Sequence, residues 1–461
     1  MGEDMQGYKK YQPELFTYVD IEKLIPPNHL LRRIEKILEL SFIRKLTHTL
    51  YCEDNGRPSI DPEIFFRIQV LGYIYGIQSD RQLCDEIQVN IAFRWFSKLT
   101  LQDDVPDHSS LTKIRDRLGE KTYEEVFVKI VQQCKKAGLI PGKRILMDAT
   151  LVQADASVDS LVERDDNDPK KRNLKNWEKH YWKYKTGTQN EIMKSNHTHV
   201  SKTDADSSMV GKPGCRGRLF YKGHYSIDAK HRIITDCKVT TGSINDCEVL
   251  PERIDYQTKK LGFSIDEVIA DKGYGTGPNY EYLRRENIRS YINPLKANWA
   301  EEKPGFIYDA CKDRYQCSEG HHLYKSSALK KTIVYRMRGG HCTNCPVKLA
   351  CSASMNNGAA TIFRSEYRKY FESIKRRQAT IYFKARLHER MWKAEGIFGE
   401  AKNNHGLRRA RYRGITKVQI QVYMTSIVQN LKRLALSISD FFRDLFFFQK
   451  NTDNFIEYAF S

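Results

Sequence analysis

Apolar residues recur every three or four positions through roughly the first 140 residues, which is the spacing of amphipathic helices. One such run covers residues 30–38. Another begins at Asp61 and Pro62, where aspartate suits the N-cap and proline the first helical position. Short helices joined by tight turns are typical of a helix-turn-helix DNA-binding domain and equally of a plain helical bundle. We therefore predict an all-α N-terminal domain over residues 1–140, which is helix-turn-helix-like in the first interpretation.

The pattern changes at about residue 141, where the apolar runs become short enough for strands. A buried strand over 145–147 ends at Asp148, and a second strand ends at Asp271. The order of elements is strand, hairpin, helix, strand, helix, strand, which is typical of a mixed α/β sheet flanked by helices. The remaining predicted elements are a hairpin over 220–228 and 233–240, helices over 246–261 and 280–285, and a strand over 290–292.

Three segments interrupt or complete this α/β order. Residues 158–215 form a predicted polar insertion, and residues 301–360 form a small insertion rich in cysteine. Residues 361–461 are helical again, with one helix that carries Glu395 and another over 418–436. The α/β unit is thus predicted in two parts, residues 141–300 and residues 361–461.

The charge balance indicates a polyanionic partner. The formal net charge is +19, with 76 Lys and Arg against 57 Asp and Glu, and such an excess favours nucleic acid. A basic surface without a specific ligand is the alternative. No apolar run is long enough to span a bilayer, and the polar start of the chain is unlike a secretory signal, so we expect a cytoplasmic protein with no membrane partner.

Three acidic residues are candidates for metal chemistry: Asp148, Asp271 and Glu395. Both aspartates follow predicted strands, and open α/β sheets bind ligands at the carboxyl ends of their strands. If the two strands are neighbours, the carboxylates can share a magnesium ion, which prefers oxygen ligands. A single aspartate at a strand end is more often a turn former, so the prediction depends on all three residues together.

The cysteines suggest a second metal site. Cys342 and Cys345 form a C-x-x-C pair, and Cys317 and Cys351 flank it. Four thiolates suit tetrahedral structural zinc. We expect the insertion to be too short and polar to form its own core, which favours a metal as its staple. Reduced thiols without a ligand remain the alternative, because cytoplasmic cysteines rarely form disulfides.

Basic residues follow Glu395 along the chain. Lys402 lies seven positions later, on the same face of a helix, where it could contact a phosphate or be a solvated helix charge. A dense basic run follows. Phosphate neutralisation by such a run predicts salt-dependent DNA binding. The run consists of Arg408, Arg409, Arg411 and Arg413.

Several motifs follow one another along most of the chain. They lie at residues 55–58, 72–83, 106–111, 147–154, 201–206, 270–274, 395–402, 406–414 and 430–434. In their order and coverage they resemble bacterial insertion-sequence transposases of the DDE type. The resemblance implies a ribonuclease H-like catalytic domain, here with a cysteine-bearing insertion.

The resemblance also implies residue roles. Asp148, Asp271 and Glu395 would be the catalytic triad, binding Mg²⁺ or Mn²⁺ for cleavage and strand transfer at the terminal inverted repeats and target DNA. A homodimer on DNA in the bacterial nucleoid is expected. In related transposases a Tyr, Arg, Glu, Lys signature surrounds the glutamate. Here His388 and Met391 stand at the Tyr and Arg positions, and Arg390 is one residue off.

Two other functions fit the same residues. The chain could be a transposase-derived DNA-binding protein that has lost catalysis, or a metal-dependent nuclease of the same fold that cuts without joining.

Overall fold

The computed structural model describes residues 20–52, 59–165, 196–211, 217–295, 303–329 and 331–459, with only the backbone described for residues 328–329 and 438–459. The motif at 55–58 and residues 166–195 and 212–216 of the predicted polar insertion lie outside this part. The chain divides into two compact units. The first comprises Met1–Gly72, Ile77–Arg117 and Ala435–Ser461, and the second comprises Tyr73–Gly76 and Leu118–Leu434.

The elements described in the first unit before its C-terminal segment are helical. Pro62 begins a helix that ends at Ile74, two residues past the division at Gly72, and the Asp61 carboxylate accepts a hydrogen bond from the Glu63 amide at 2.8 Å, as an N-cap does. The seventh helix crosses the division between the units and is interrupted at Gly119, whose φ is 64°. The helices are α1 Ile21–Leu24, α2 Leu30–Glu35, α3 Phe42–Thr47, α4 Pro62–Ile74, α5 Asp80–Val89, α6 Ile91–Phe96 and α7 His108–Lys136.

The second unit is built on a six-stranded mixed sheet. β5 pairs antiparallel with β1, β4 and β6, whereas β1 pairs parallel with β7 and β7 parallel with β8. β2 and β3 form a separate antiparallel pair. The strands are β1 Arg144–Gln153, β2 Leu161–Glu163, β3 His199–Ser201, β4 Ser208–Val210, β5 Arg218–Asp228, β6 Ile234–Thr241, β7 Glu267–Ala270 and β8 Arg289–Tyr291.

β1 is longer than the sequence pattern predicts. The prediction of a strand that ends at Asp148 is wrong, because β1 continues to Gln153 and Asp148 lies within it. β5 pairs with β1 along this whole length, from Ile145 to Gln153. Only the pairing with β7 stops early, at Met147 and Ala270. Asp148 therefore lies where one of its two neighbouring strands ends.

Helices cover the sheet and one of its edges. They are α8 Asp246–Leu261, α9 Gly277–Arg285, α10 Arg368–Gln378, α11 Ile381–Asn404 and α12 Ile415–Ala459. α11 packs on β1, β7 and β8. In α12, the buried amides of Gln419 and Asn430 bond to backbone groups of β6 at 2.6–3.1 Å. These side chains satisfy an edge strand that would otherwise expose unpaired N–H and C=O groups.

The cysteine-rich insertion forms a sheet with its own core, so our expectation that it would lack one is wrong. Alternating apolar side chains bring Phe306, Tyr315, Leu323, Tyr335 and Ile362 together in a buried cluster. The sheet is antiparallel, in the order β13-β14-β12-β11-β10-β9. Its strands are β9 Phe306–Asp309, β10 Arg314–Cys317, β11 His322–Leu329, β12 Thr332–Met337, β13 Ser354–Asn356 and β14 Ala359–Ser365. Among all the described helices, none has the length and apolarity that a membrane span needs.

Candidate active site

Asp148 and Asp271 come together at the point where β7 ends. The last paired residues of β1 and β7 are Met147 and Ala270, so the two aspartates are the next residues on adjacent parallel strands. Asp148 Oδ1 accepts a hydrogen bond from its neighbouring Ala149 amide at 2.9 Å. The Asp271 side chain accepts one from the Gly273 amide at 2.6 Å and so caps a short 3₁₀ helix, Lys272–Tyr274.

The Asp148 carboxylate is an unfavourably buried charge. Burial raises the pKa of Asp148 to about 6, although the Arg390 guanidinium and the Ala149 amide act in the opposite direction. The charges of Asp271 and Asp246 raise this pKa further. A nearby cation would strongly stabilise a carboxylate in this position, because a desolvated charge is stabilised mainly by an opposite charge.

Arg390 supplies one cation at this site. Its Nη1 lies 2.5 Å from Asp148 Oδ2, and both side chains are mostly buried. The helix register accounts for this contact, because Lys393, Ala394, Ile397 and further residues at helical spacing form the buried face of α11. Arg390 precedes Lys393 by three positions and Ala394 by four, and so shares that face. Spacing along the helix therefore places Arg390 on the buried face, but it does not identify Asp148 as the partner.

Glu395 is not brought to the two aspartates in this structure. Its side chain is exposed on α11. It lies five residues after Arg390, which is about 140° around a helix of 3.6 residues per turn. A rotation or shift of α11 would be needed to bring its carboxylate to Asp148 and Asp271.

Asp246 is a further acidic residue of this region, and it is not among the site residues predicted from the sequence. It is the first residue of α8, after the N-cap Asn245, and Lys222 Nζ lies 3.1 Å from its Oδ1. A Cβ built on Gly273 would lie 2.8 Å from Asp271 Oδ1 and 3.1 Å from Asp246 Oδ2, so the two carboxylates flank this glycine. Burial and Asp271 raise the pKa of Asp246, against the effect of Lys222. The capping box at the start of α8 was the local signal for this position.

The carboxylates are neighbours rather than a closed ligand set. Within the described residues, no three His, Cys, Asp or Glu side chains converge closely enough to hold a metal ion as they stand. Oxygen donors on rigid strand ends are nevertheless the chemistry that Mg²⁺ and Mn²⁺ prefer.

The four predicted zinc ligands line one cavity of about 270 Å³ in the insertion. His321 and His341 line it too, with their rings stacked at 4.1 Å. The buried Cys342 Sγ accepts a hydrogen bond from the Ala360 amide at 3.3 Å. Cys311 is exposed and does not belong to this lining. The four cysteines are Cys317, Cys342, Cys345 and Cys351.

Two family models match the chain. Residues 19–117 match a family described as a transposase domain (DUF772), and residues 311–435 match a transposase DDE domain. These two matches support an insertion-sequence DDE transposase. The DDE match includes Glu395, Lys402 and residues 311–360 of the cysteine-rich insertion of this transposase, whereas Asp148 and Asp271 lie outside both matched ranges.

A solved structure also resembles the transposase weakly. It is a piggyBac transposase synaptic complex with hairpin DNA, at 11% identity and a TM-score of 0.25, with 88% of this chain and 81% of that chain covered. A likeness of this size carries no argument about the fold.

The basic run of the transposase is fixed beside the end of β1. The Gln153 amide donates to the Arg408 carbonyl at 3.0 Å, and the Ala410 amide donates to the Gln153 carbonyl at 2.7 Å. Arg409 and Arg413 are 58% and 57% exposed, and both pair with Asp155. They are therefore held on the surface with their charges accessible.

The other basic candidates differ in accessibility. Arg408 is exposed and bonds to Asn403. Arg411 stacks over the Tyr73 ring at 4.0 Å and contacts the His405 carbonyl, which makes it a packing residue in this structure. Lys402 is half-buried, and burial together with Arg408 lowers its pKa.

Proposed function

We propose that Asp148, Asp271 and Glu395 are the catalytic carboxylates of this transposase and that they bind Mg²⁺ or Mn²⁺. The observation that carries the proposal is the meeting of Asp148 and Asp271 on adjacent parallel strands, at the end of β7. The burial of the Asp148 carboxylate, whose charge a bound cation would stabilise, supports the proposal. Glu395 enters on family grounds, since it lies within the matched DDE domain on the helix that packs over these strands.

We also infer a ribonuclease H-like catalytic core. Its support is the chain order of the main sheet: β1 pairs antiparallel with the hairpin of β5 and β6 and parallel with β7, which pairs parallel with β8. α8 follows the hairpin, and α9 connects β7 to β8. This core would comprise residues 141–300 and 361–461, with residues 301–360 as an insertion and residues 1–140 as a helical domain that contacts DNA.

The chain's own residues would position the DNA and the metal ions and neutralise phosphate charge, rather than react covalently with the DNA. Bound divalent ions would activate the attacking oxygen and stabilise the leaving oxygen of a phosphodiester. Asp148 and Asp271 would hold them on rigid strands, so that little reorganisation is needed during reaction. Arg390 pairs with Asp148 in this structure. If a divalent ion bound Asp148 instead, the Arg390 guanidinium would be available to contact a DNA phosphate.

DNA is the proposed substrate and partner, in the form of terminal inverted repeats and target DNA. Arg408, Arg409 and Arg413 present accessible cations for phosphates, whereas Lys402 and Arg411 would need to move before they could contribute. Two ends must be joined in one reaction, so we infer a homodimer on DNA.

A strand-transfer assay tests this function. Wild-type transposase is incubated with Mg²⁺, a linear DNA carrying the element's own ends and a supercoiled target. Joined products are expected. Nicking without joining would favour a nuclease, and DNA binding without either would favour a protein that has lost catalysis.

We further propose that Cys317, Cys342, Cys345 and Cys351 bind one structural Zn²⁺. The fit rests on the donor chemistry, since four thiols line one cavity, and on the hydrogen bond from the Ala360 amide to Cys342 Sγ, which is a bond that metal-binding sulfur atoms commonly accept. The cavity is larger than one ion needs, so the thiolates would draw inward on binding.

Substituting one of these cysteines should remove the zinc. We expect about one zinc per chain in the wild type and close to none in Cys345→Ser, because three ligands hold structural zinc poorly. Metal content after dialysis is measured by mass spectrometry. Cys311→Ser is the matched control and should keep the metal, since Cys311 is exposed and outside the cavity lining. Equal zinc content in the wild type and in Cys345→Ser would show that these thiols do not bind the metal.

A further inference from the structure

We propose that Asp246 is an additional acidic residue of the metal site, acting beside Asp148 and Asp271 in binding divalent cations. This inference rests on the proposed function and extends it by one residue. Asp246 reaches the site from the N-terminus of α8, on a different element from the other two aspartates.

The first argument is the position of Gly273. A methyl group at this glycine would lie within 3.1 Å of oxygens from both Asp271 and Asp246. Two carboxylates that face the same small space repel each other unless a cation lies between or beside them. Lys222, at 3.1 Å, neutralises one side of Asp246 only.

The second argument comes from two buried polar groups with unused hydrogen-bonding capacity. Tyr274 is fully buried, and its hydroxyl has no hydrogen-bond partner within the described residues. Burial raises the pKa of Tyr274 most, and the charges of Asp246, Asp148 and Asp271 raise it further.

His224 provides the other group. It is 1% exposed, its Nε2 lies 2.9 Å from Thr240 Oγ1, and its Nδ1 lies 3.8 Å from Asp246 Oδ1. That Nδ1 also has no hydrogen-bond partner in the described part of the chain. Buried polar groups are normally satisfied, so a hydroxyl and an imidazole nitrogen left over beside carboxylates indicate a ligand or its bound water in this space.

The test measures Mn²⁺ binding to the full chain without DNA, by calorimetry and by electron paramagnetic resonance. Asp246→Asn should weaken Mn²⁺ binding by about tenfold to a hundredfold, the scale on which supporting groups of metal sites act. Gly273→Ala should weaken it as well, because its methyl occupies the space between the carboxylates. Glu252→Gln, which changes an exposed carboxylate on the same helix, should leave it unchanged.

The variants separate this inference from the proposed function. If Asp148→Asn and Asp271→Asn weaken Mn²⁺ binding while Asp246→Asn and Gly273→Ala do not, the role of Asp246 is wrong and the catalytic site stands. If none of the four changes Mn²⁺ binding, the proposed metal site is itself wrong. Circular dichroism shows whether each variant is folded, and Gly273→Ala keeps the test open if Asp246→Asn does not fold.

Discussion

Replacing Asp148 with asparagine should slow Mg²⁺-dependent cleavage of the element's ends by about a thousandfold or more. Asparagine keeps the size of the side chain and the hydrogen bond accepted from the Ala149 amide, but it has no charge to offer a divalent ion. A loss of about 4 kcal/mol of transition-state stabilisation corresponds to this factor, since about 1.36 kcal/mol is tenfold in rate. Single-turnover nicking with the transposase in excess measures it.

DNA binding is the control for this variant. Asp148→Asn should bind the end DNA in the absence of metal within about twofold of the wild type, a difference below about 0.5 kcal/mol.

The double variant Arg409→Ala and Arg413→Ala should behave in the opposite way. It should keep Mn²⁺ binding. Its plot of log affinity against log salt concentration should become less steep by about two, because each phosphate contact contributes about 0.9 to the magnitude of that slope. Loss of DNA binding and cleavage together in Asp148→Asn would make Asp148 a structural residue.

Replacing Glu400 with glutamine should destabilise the second unit by about 3 kcal/mol, the scale expected when one partner of a buried ion pair is removed. Glu400 lies 2.7 Å from Lys432 Nζ and 2.8 Å from Arg433 Nη2, and its Oε1 lies 3.4 Å from the buried His405 Nε2. Without the carboxylate, two neighbouring cations on α12 keep no opposite charge at this position. The free energy of unfolding in urea measures the loss.

Glu395→Gln, on the same helix, is the matched control. Glu395 is exposed, so this change should alter the free energy of unfolding by less than about 0.5 kcal/mol while abolishing cleavage. Glu400→Gln should instead lower stability. Equal stability of the two variants would show that the Glu400 ion pairs contribute little.

The effect of Glu400 should also depend on pH. Burial opposes ionisation of Glu400, but the His405 hydrogen bond and the charges of Arg433 and Lys432 outweigh it and hold the pKa of Glu400 well below its usual range. A lowered folded-state pKa means that the stabilisation is complete above the unfolded pKa near 4.5 and is lost as the pH falls below it. The difference between wild type and Glu400→Gln should therefore shrink by about 1.4 kcal/mol per pH unit below 4.5.

Local signals in the sequence specify several elements closely. The predicted helix over 246–261 matches α8 because both of its ends are encoded nearby, by the capping box of Asn245 and Glu248 and by Gly262, whose φ of 64° suits glycine. The hairpin of β5 and β6 follows from alternating polar and apolar residues. The N-cap of α4 is likewise a local matter of Asp61 and Pro62.

Other features depend on pairing between distant segments. β1 extends past Asp148 because β5 pairs with it as far as Gln153. The residues next to Asp148 give no local signal for this extension of the strand. The insertion has a core because six short strands pair, so that Tyr315 and Tyr335 pack with ring centroids 5.1 Å apart. A composition that is polar overall conceals such a core.

The amino-acid sequence by itself determined the class of protein, the order of its elements and the two aspartates that meet, because the apolar spacing of strands and helices and the residues that cap helices are local properties of the chain. Only the tertiary structure decided that Arg390 binds Asp148, that Asp246 joins the acidic site and that Glu395 lies apart from it. These outcomes depend on strand register and on the rotation of α11, which distant contacts set and which a linear pattern does not contain.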